Sequence, residues 1–442
     1  MTDLTARIDL LLPAAVDDLT RLVSIQSISS LPDHADRVQA SADEVVRMLT
    51  EVGCPDVRIV EEGGKPAVIA RFPAPEGKPT VCLYAHHDVQ PTGPVDGWTN
   101  APFEAETRNG RLYGRGTADD KGGFIAHLLA LRAFDGKPPV GVTLFIEGEE
   151  EIGSPSLATI IERHQELLAA DVFVIMDSVN WEAGKPAFTT TLRGVADVEV
   201  TLKTLEHPLH SGQFGGVVPD AVGAMIKLLS TLTDENGACA IEGMKSSQAA
   251  DLEYPEDRLR EEAGLLEGVD FIGSGSFVDR MWTKPAVTVL AMDLPEVAMA
   301  SNTLQPSCRA KVGIRVAPGD DARSALEALK AHLVKHTPWG AQISFGAEAA
   351  GNPGVIPFEG EVCEKAMAAW GKAFGVEPVF VGCGGSIPMV SDFQKAFPDA
   401  TVLVAAVTDP DSRMHGLDES LDVADLGHAA LAEALLMEKL AR

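Results

Sequence analysis

The sequence lacks the features that would place the protein in a membrane or outside the cell. None of its apolar runs reaches the roughly 18 residues needed to cross a bilayer. Near the N-terminus, Asp3, Arg7 and Asp9 occupy the stretch where a signal peptide would carry basic and then apolar residues. The six cysteines are scattered and form no C-x-x-C motif. We therefore expect a reduced, cytoplasmic protein with no membrane partner.

Positive charge is also scarce in this chain. Its 442 residues include 36 Lys and Arg against 65 Asp and Glu, which gives a formal net charge of −29. An acidic chain without a basic patch repels phosphate backbones, so we expect no nucleic-acid partner. A solvated acidic surface accounts for most of these carboxylates. It does not account for the few that follow apolar strands, and those indicate the function.

Four short apolar runs, rich in β-branched residues, predict strands that are buried on both faces. They are VCLYAHHD (81–88), VTLFIEGEEE (142–151), DVFVIMD (171–177) and TVLVAAVTD (401–409). Helical patterns lie between the first three runs, which favours a mostly parallel sheet covered by helices. In such a sheet, ligands bind at the carboxyl ends of the strands.

The order of predicted strands and helices changes between about residues 192 and 352. Strand and helix patterns there follow the order β-α-β-β-α-β of the ferredoxin-like, split β-α-β sandwich, which is a complete small domain. We therefore predict an α/β fold in three segments. Residues 1–191 and 353–442 form a catalytic domain, and residues 192–352 form a domain inserted into it.

Polar side chains with metal-binding chemistry follow the predicted strands, although each has an ordinary structural explanation. His86 and Asp88 end the first run, where His-x-Asp is a common tripeptide. In GRGTADDKGG, an aspartate before a helix serves most often as a cap. The three glutamates 149–151 could form a solvated strand exit, and Asp177 raises the same question. His415 could be an exposed loop residue.

Taken together, these residues indicate a metal site at one edge of the sheet. The candidates are His86, Asp119, one of the glutamates 149–151, Asp177 and His415. All are nitrogen or oxygen donors with no thiolate, which suits zinc, manganese or cobalt in a catalytic setting. The carboxylates are too many for one ion. The sequence therefore predicts two divalent ions, roughly 3.5–4 Å apart, that share a water.

These motifs resemble those of the dinuclear zinc peptidases and aminoacylases. That family includes carboxypeptidase G, acetylornithine deacetylase, succinyl-diaminopimelate desuccinylase and carnosinase. YAHHDVQP, GRGTADDKGG, EGEEEIGS, MDS and MHGLDE match the family's metal-binding blocks in order. The resemblance implies that Asp119 bridges two ions, zinc by preference, through a carboxylate next to a cis peptide bond. It further implies that His86 and Asp177 hold one ion, and that Glu151 and His415 hold the other.

The resemblance also implies the catalytic residues. Asp88 would steady His86, and Glu150 would act as the general base that activates a metal-bridged water for attack on an amide bond. The segment LEHPLHSGQFGG resembles the family's His-Ser-Gly block, in which His210 reaches into the partner subunit's site and stabilises the oxyanion. The inserted domain would then be a lid that also forms a homodimer.

Four further residues are implied as substrate contacts. Asn302 lies in SNTLQP, and Arg315 in GIRVAP would clamp a substrate carboxylate. GCGGSIP resembles the substrate loop of carnosinase-like dipeptidases, with Gly385 and Ser386 facing the substrate. We therefore expect a hydrolase for dipeptides or short peptides with a free C-terminal carboxylate. The alternatives are an N-acyl amino acid deacylase and a non-catalytic metal-binding module.

Overall fold

The computed structural model describes residues 3–248, 252–385 and 388–442. The chain forms two compact units. Unit 1 comprises residues 1–190, 356–381 and 388–442, and unit 2 comprises residues 191–355 and 382–387. Among the described residues, no helix is both long and apolar enough to span a membrane.

The first part of the chain alternates helices and short strands. Its elements are α1 (Leu4–Val23), α2 (Ala35–Glu51), β1 (Asp56–Val60), β2 (Ala67–Phe72), β3 (Thr80–His86), β4 (Glu106–Arg108), β5 (Arg111–Tyr113), α3 (Lys121–Ala133), β6 (Gly141–Glu147), α4 (Leu157–Leu168), β7 (Val172–Ile175) and β8 (Ala187–Leu192).

The middle and last parts of the chain follow. The middle part contains β9 (Gly194–Lys203), β10 (Leu209–His210), α5 (Ser211–Phe214), α6 (Ala221–Leu229), α7 (Glu256–Glu262), β11 (Ala286–Met292), β12 (Thr303–Leu304), β13 (Ser307–Val316), α8 (Ala322–His336), β14 (Gln342–Gly351) and β15 (Gly354–Val355). The last part contains α9 (Glu361–Phe374), β16 (Val379–Cys383), α10 (Pro388–Ala396), β17 (Thr401–Val404), β18 (Ser420–Asp422) and α11 (Val423–Leu440).

The main sheet of unit 1 has the strand order β1-β2-β6-β3-β7-β17. Strands β6, β3, β7 and β17 are parallel, and β1 and β2 are antiparallel additions at one edge. The four apolar runs of the sequence supply these parallel strands. The expectation of an α/β fold with a mostly parallel sheet is therefore confirmed.

Helices cover both faces of this sheet. Successive residues of a strand point to opposite faces, so each strand contributes side chains to both layers. On β3, Val81, Leu83 and Ala85 join the core that contains α1, α3, α9 and α11. Tyr84 points to the other face, where its ring lies 5.7 Å from that of Phe145 in a cluster of aromatic rings that includes α10. Burial on both faces explains why the strands read as continuous apolar runs.

Unit 2 contains an antiparallel sheet with the strand order β11-β13-β9-β14. Helices α6 and α8 cover one face, where alternate residues of β9 and β13 form the core. The order β9-α6-β11-β13-α8-β14 is the β-α-β-β-α-β pattern read from the sequence. Residues 382–385 also belong to unit 2, whereas the sequence-based segments assigned them to the catalytic domain.

Candidate metal centre

Three parallel strands of unit 1 end at one edge of the sheet, and residues that could bind a metal lie at or after each end. His86 is the last residue of β3, and its register partner on β6 is Glu147. Glu150 begins a short 3-10 turn after β6, and Asp177 follows β7. Because the carboxyl ends of parallel strands share one edge, these side chains come together there.

Ligand atoms at this edge form two groups of three, and the atoms within each group lie within 4.8 Å of one another. One group comprises His86, Glu150 and Asp177, and the other comprises Asp119, Glu151 and His415. All five metal ligands implied by the sequence are therefore in these groups, together with the glutamate implied as general base.

Asp119 connects the two groups. Its Oδ1 lies 3.0 Å from Nε2 of His86, and its Oδ2 lies 3.0 Å from Nε2 of His415. One carboxylate thus presents an oxygen to each histidine, as a ligand shared by two ions must do. The peptide bond between Asp119 and Asp120 is cis, as the resemblance implies.

The next aspartate, Asp120, caps helix α3, which is the ordinary structural role considered for an aspartate in this motif. Its Oδ1 accepts a hydrogen bond from the backbone N–H of Gly123 at 3.1 Å, which caps α3. Its Oδ2 accepts a weaker one from the backbone N–H of His86 at 3.3 Å. The paired aspartates therefore divide two tasks between them.

Asp88 orients the residues around it and belongs to neither group. Nδ1 of His86 lies 3.0 Å from the backbone carbonyl oxygen of Asp88 and 3.4 Å from its Oδ1. Its two carboxylate oxygens also accept the backbone N–H groups of Glu150 and Glu151, each at 3.2 Å. Burial opposes its ionisation, but the hydrogen bond and charge of His86 outweigh burial and lower the pKa of Asp88. A buried carboxylate in this position fixes the ring that carries Nε2.

The structure separates the three consecutive glutamates. Glu149 points into the turn, where its oxygens accept the backbone N–H groups of Ser156 at 2.6 Å and Lys65 at 2.8 Å. Glu151 joins the second group and accepts a hydrogen bond from Nε2 of Gln90 at 2.8 Å. Of the three, Glu149 therefore has a structural part only, and Glu150 and Glu151 lie at the centre.

The buried carboxylates of the centre would be stabilised by a cation. Burial raises the pKa of Glu150 to about 7, and the neighbouring charges of Glu151 and Asp119 add to this rise. Burial and the charge of Glu150 also raise the pKa of Asp177 well above its ordinary value. Carboxylates this close together in a dry environment repel one another unless positive charge lies between them.

The donor set fits a pair of divalent ions. Apart from Glu150, the implied base, His86 with Asp177 and His415 with Glu151 each add one imidazole and one carboxylate to Asp119, and no cysteine takes part. These ligands suit zinc, manganese or cobalt in a site that keeps room for a substrate. Asp119, with one oxygen toward each histidine, is the residue that would bridge such a pair.

Sequence reasoning missed Glu419, which holds the loop that carries Asp119. Its Oε1 accepts the backbone N–H groups of Gly116, Ala118 and Asp119 at 3.0, 3.0 and 3.1 Å. Its Oε2 accepts a hydrogen bond from Arg115 at 2.6 Å. In the sequence, only the position of Glu419 four residues after His415 could have indicated that it supports the site. Glu419 ties the loop that carries His415 to the loop that carries Asp119.

Unit 2 carries the other candidate residues. Strands β10 and β12 pair so that His210 faces Thr303. This pairing places Asn302 beside the histidine, and the carbonyl of Asn302 accepts the N–H of Ser211 at 2.9 Å. Arg315 lies exposed on β13, and the N–H of Gly385 donates to Sγ of Cys383 at 3.3 Å. Ser386 lies outside the described residues.

Comparison with known proteins identifies the family. The model of peptidase family M20/M25/M40 matches residues 82–439, which include every strand of unit 1 that leads to the centre. The chain belongs to this family. The resemblance seen in the sequence motifs is thereby confirmed.

Individual M20 proteins are similar over nearly the whole chain. A cysteinylglycine-S-conjugate dipeptidase of Corynebacterium striatum is 35% identical over 424 residues, which cover 94% of this chain and 93% of that protein. The solved structure of the dipeptidase Dug1p of Saccharomyces cerevisiae gives a TM-score of 0.84 at 24% identity and covers 99% of this chain and 98% of its own. The crystal structure of human carnosine dipeptidase 1 gives a TM-score of 0.84 at 23% identity, and the match covers 99% of this chain and 98% of that one. The two structures establish likeness of fold.

Proposed function

We propose that this M20 peptidase is a dinuclear metal-dependent dipeptidase. It hydrolyses the amide bond of dipeptides or short peptides that have a free C-terminal carboxylate. The observation that carries the proposal is the pair of three-donor groups joined by the two oxygens of Asp119. The proposed ions are zinc, with manganese and cobalt as alternatives that the same donors accept.

The protein's own residues divide the work of amide hydrolysis. When bound, the pair of ions supplies Lewis acidity toward the attacking water and the scissile carbonyl. Glu150 takes the proton from that water and returns it to the leaving amine, as a general base and then a general acid. Asp88 holds His86 and the backbone of the two glutamates in place. His86, Asp119, Asp177, Glu151 and His415 are the proposed ligands.

The residues of unit 2 are proposed to bind and polarise the substrate. Arg315 binds the C-terminal carboxylate, since a guanidinium forms two parallel hydrogen bonds with it. Asn302, Gly385 and Ser386 contact the peptide. His210 donates to the oxyanion that develops during attack, where a fixed donor has its greatest effect.

We further propose that unit 2 is a lid and the dimerisation surface of a homodimer, with His210 serving the partner's site. Strand β11 supports this proposal because it is an edge of its sheet and bears exposed apolar side chains. Leu290 is 54% exposed and Val289 is 42% exposed. An edge strand of this kind readily pairs with a second copy.

A reducing compartment, the cytoplasm, is the proposed location. The cysteines all lie within the described residues, and each is free. Burial raises the pKa of several of these thiols, including Cys54 and Cys363, which keeps them in the unreactive form.

A hydrolysis panel tests the proposed function. Protein loaded with zinc, manganese or cobalt would be given Ala-Gly, β-Ala-His, a cysteinylglycine S-conjugate and N-acetyl amino acids. The S-conjugate is included because the Corynebacterium relative bears that name. We expect turnover of at least one dipeptide and little of the acylated amino acids. Turnover of acylated amino acids alone would support the deacylase alternative, and no turnover at all would support a non-catalytic module.

A further inference from the structure

The outer face of the sheet in unit 2 bears a regular series of ion pairs. On this face, opposite the helices, Lys311 of β13 binds Asp197 of β9 at 3.0 Å. Arg309 lies 3.5 Å from Glu199 and 2.8 Å from Asp293. The register partner of Lys311 on β9 is Glu199, and that of Arg309 is Thr201. Each cation therefore contacts a carboxylate two residues before its own register partner, that is, on the diagonal between the strands.

Arg315, farther along β13, has no carboxylate at the corresponding diagonal position. Its register partner is Val195, so the diagonal leads to Arg193, which has the same charge. Within the described residues, Arg315 has no ion pair and no hydrogen bond through its side chain, and it is exposed. Arg315 therefore has another arginine in the position where Arg309 and Lys311 have a carboxylate.

Arg193 is half-buried and bonds only to backbone. Its Nε donates to the carbonyl of Gly384 at 3.2 Å, and its Nη1 donates to those of Arg280 and Lys284 at 3.3 and 3.4 Å. Its own N–H donates to the carbonyl of Cys383 at 3.1 Å. Burial, followed by the charge of Arg315, lowers the pKa of Arg193 to about 10. None of these partners neutralises its charge.

The segment around Gly384 is shaped to receive this guanidinium. A Cβ on Gly384 would lie 2.9 Å from Nη2 of Arg193, closer than side-chain carbons normally come to a neighbour. The next residue, Gly385, is one of the proposed substrate contacts. Arg193 thus holds the chain segment that presents this contact, and the register of β9 and β13 places it diagonal to Arg315.

We propose that Arg193 is a positioning residue for the free carboxylate of the substrate. It anchors residues 383–384 and adds its charge to that of Arg315, so that a carboxylate is the counter-ion the pair requires. This inference rests on the proposed dipeptidase function and deepens it. The substrate class is a peptide with an ionised C-terminus, and a neutral C-terminal amide meets two uncompensated cations.

The test compares an ionised and a neutral substrate in variants that keep or remove the charge. For Ala-Gly, Arg193→Gln should raise KM about tenfold, because a second positive charge near a partly dry carboxylate contributes about that much to binding. Its kcat should stay within about threefold of the wild type. Arg193→Lys retains the charge and should recover much of the loss. For Ala-glycinamide, kcat/KM should change little in either variant.

Two further variants separate this role from a structural one. Arg309→Gln removes a cation from the same face that already has carboxylate partners, and it should leave both substrates unaffected. Gly384→Ala displaces the guanidinium without altering its charge, and it should raise KM for Ala-Gly while sparing the amide. This variant also tests the inference if Arg193→Gln does not fold. Circular dichroism and metal content would be measured for every variant.

Several outcomes would overturn the inference. An equal loss on Ala-Gly and its amide would make Arg193 a purely structural residue, and an unchanged KM in Arg193→Gln would mean that it has no part in recognition. If the metal-loaded wild type hydrolysed no dipeptide, the proposed function itself would fail. These two failures are therefore distinguishable.

Discussion

At the scale of single residues, neighbours of the same type have separate parts. Asp119 faces two histidines, whereas Asp120 caps a helix. Glu149 closes a turn, whereas Glu150 and Glu151 lie at the metal centre. The residue pattern alone predicts that these residues gather at one edge, and only the family resemblance separates Asp119, Glu150 and Glu151 from their neighbours. In the structure, hydrogen bonds turn Glu149 away from its neighbours, and they come from Ser156, seven residues later, and from Lys65, which is 84 residues away in the chain.

The two central glutamates can be distinguished by kinetics and metal content. Glu150→Gln should lower kcat by about 10²–10⁴-fold and keep both ions, because a general base is not a ligand. Glu151→Gln should lose an ion. Steady-state kinetics with elemental analysis of each variant would measure both effects. If Glu151→Gln kept both ions and lost turnover while Glu150→Gln lost an ion, the two roles would be exchanged.

Glu419 should control metal affinity although it touches no proposed ion site directly. Glu419→Gln removes the charge that accepts three backbone N–H groups around Asp119, so the bridging carboxylate should be less firmly held. We expect about tenfold weaker metal binding, measured by competition with a chelator. Asp418→Asn, which alters the exposed neighbour bonded to Thr99, is the matched control. Equal affinities in the two variants would refute this role.

At the scale of elements, the parallel strands were predictable and the start of α3 was only partly so. Continuous apolar runs indicated strands, because burial on both faces leaves no polar alternation. GRGTADDKGG contains more glycine than a cap requires, and the structure supplies the reason. A Cβ on Gly123 would lie 2.2 Å from Oδ1 of Asp120, and one on Gly122 would lie 2.4 Å from the carbonyl oxygen of Thr117. These close approaches come from folding of the loop, which the sequence pattern does not specify.

A pair of glycine substitutions tests this account of α3. Gly123→Ala should lower the free energy of unfolding by about 1–3 kcal/mol, because the added carbon collides with the capping carboxylate. Gly371 lies inside α9, and its added carbon would have ordinary contacts of 3.6 Å or more. Gly371→Ala should therefore stabilise the protein by about 0.5–1 kcal/mol. Denaturant unfolding of both variants would measure this, and similar effects of the two would contradict the account.

At the scale of the whole molecule, two cations without carboxylate partners, Arg193 and Arg315, lie diagonal to each other in unit 2 of this acidic chain. The motifs were sufficient to predict the family, the α/β class and the residues that gather at the candidate metal centre. They did not predict Arg193 or Glu419. Both act through backbone groups far away in the sequence, and such contacts leave no periodicity or spacing in the chain.

Dimerisation with His210 acting on the partner can be tested with two inactive variants. In a mixed dimer of Glu150→Gln and His210→Ala chains, action across the interface leaves one site with both groups. Random assembly makes half the dimers mixed, so about a quarter of the wild-type activity should return. Co-expression with separate tags would measure this. Glu150→Gln mixed with the double variant is the control and should stay inactive. No recovery in confirmed mixed dimers would exclude action across the interface.

The central claim is that two ions share the carboxylate of Asp119. Elemental analysis of metal-loaded, folded protein tests it most directly, with Glu150→Gln as the control variant that keeps every proposed ligand. We predict two ions per chain in the wild type and in Glu150→Gln, and the loss of both together in Asp119→Ala. A single ion in the wild type, or one ion retained by Asp119→Ala, would contradict the shared centre.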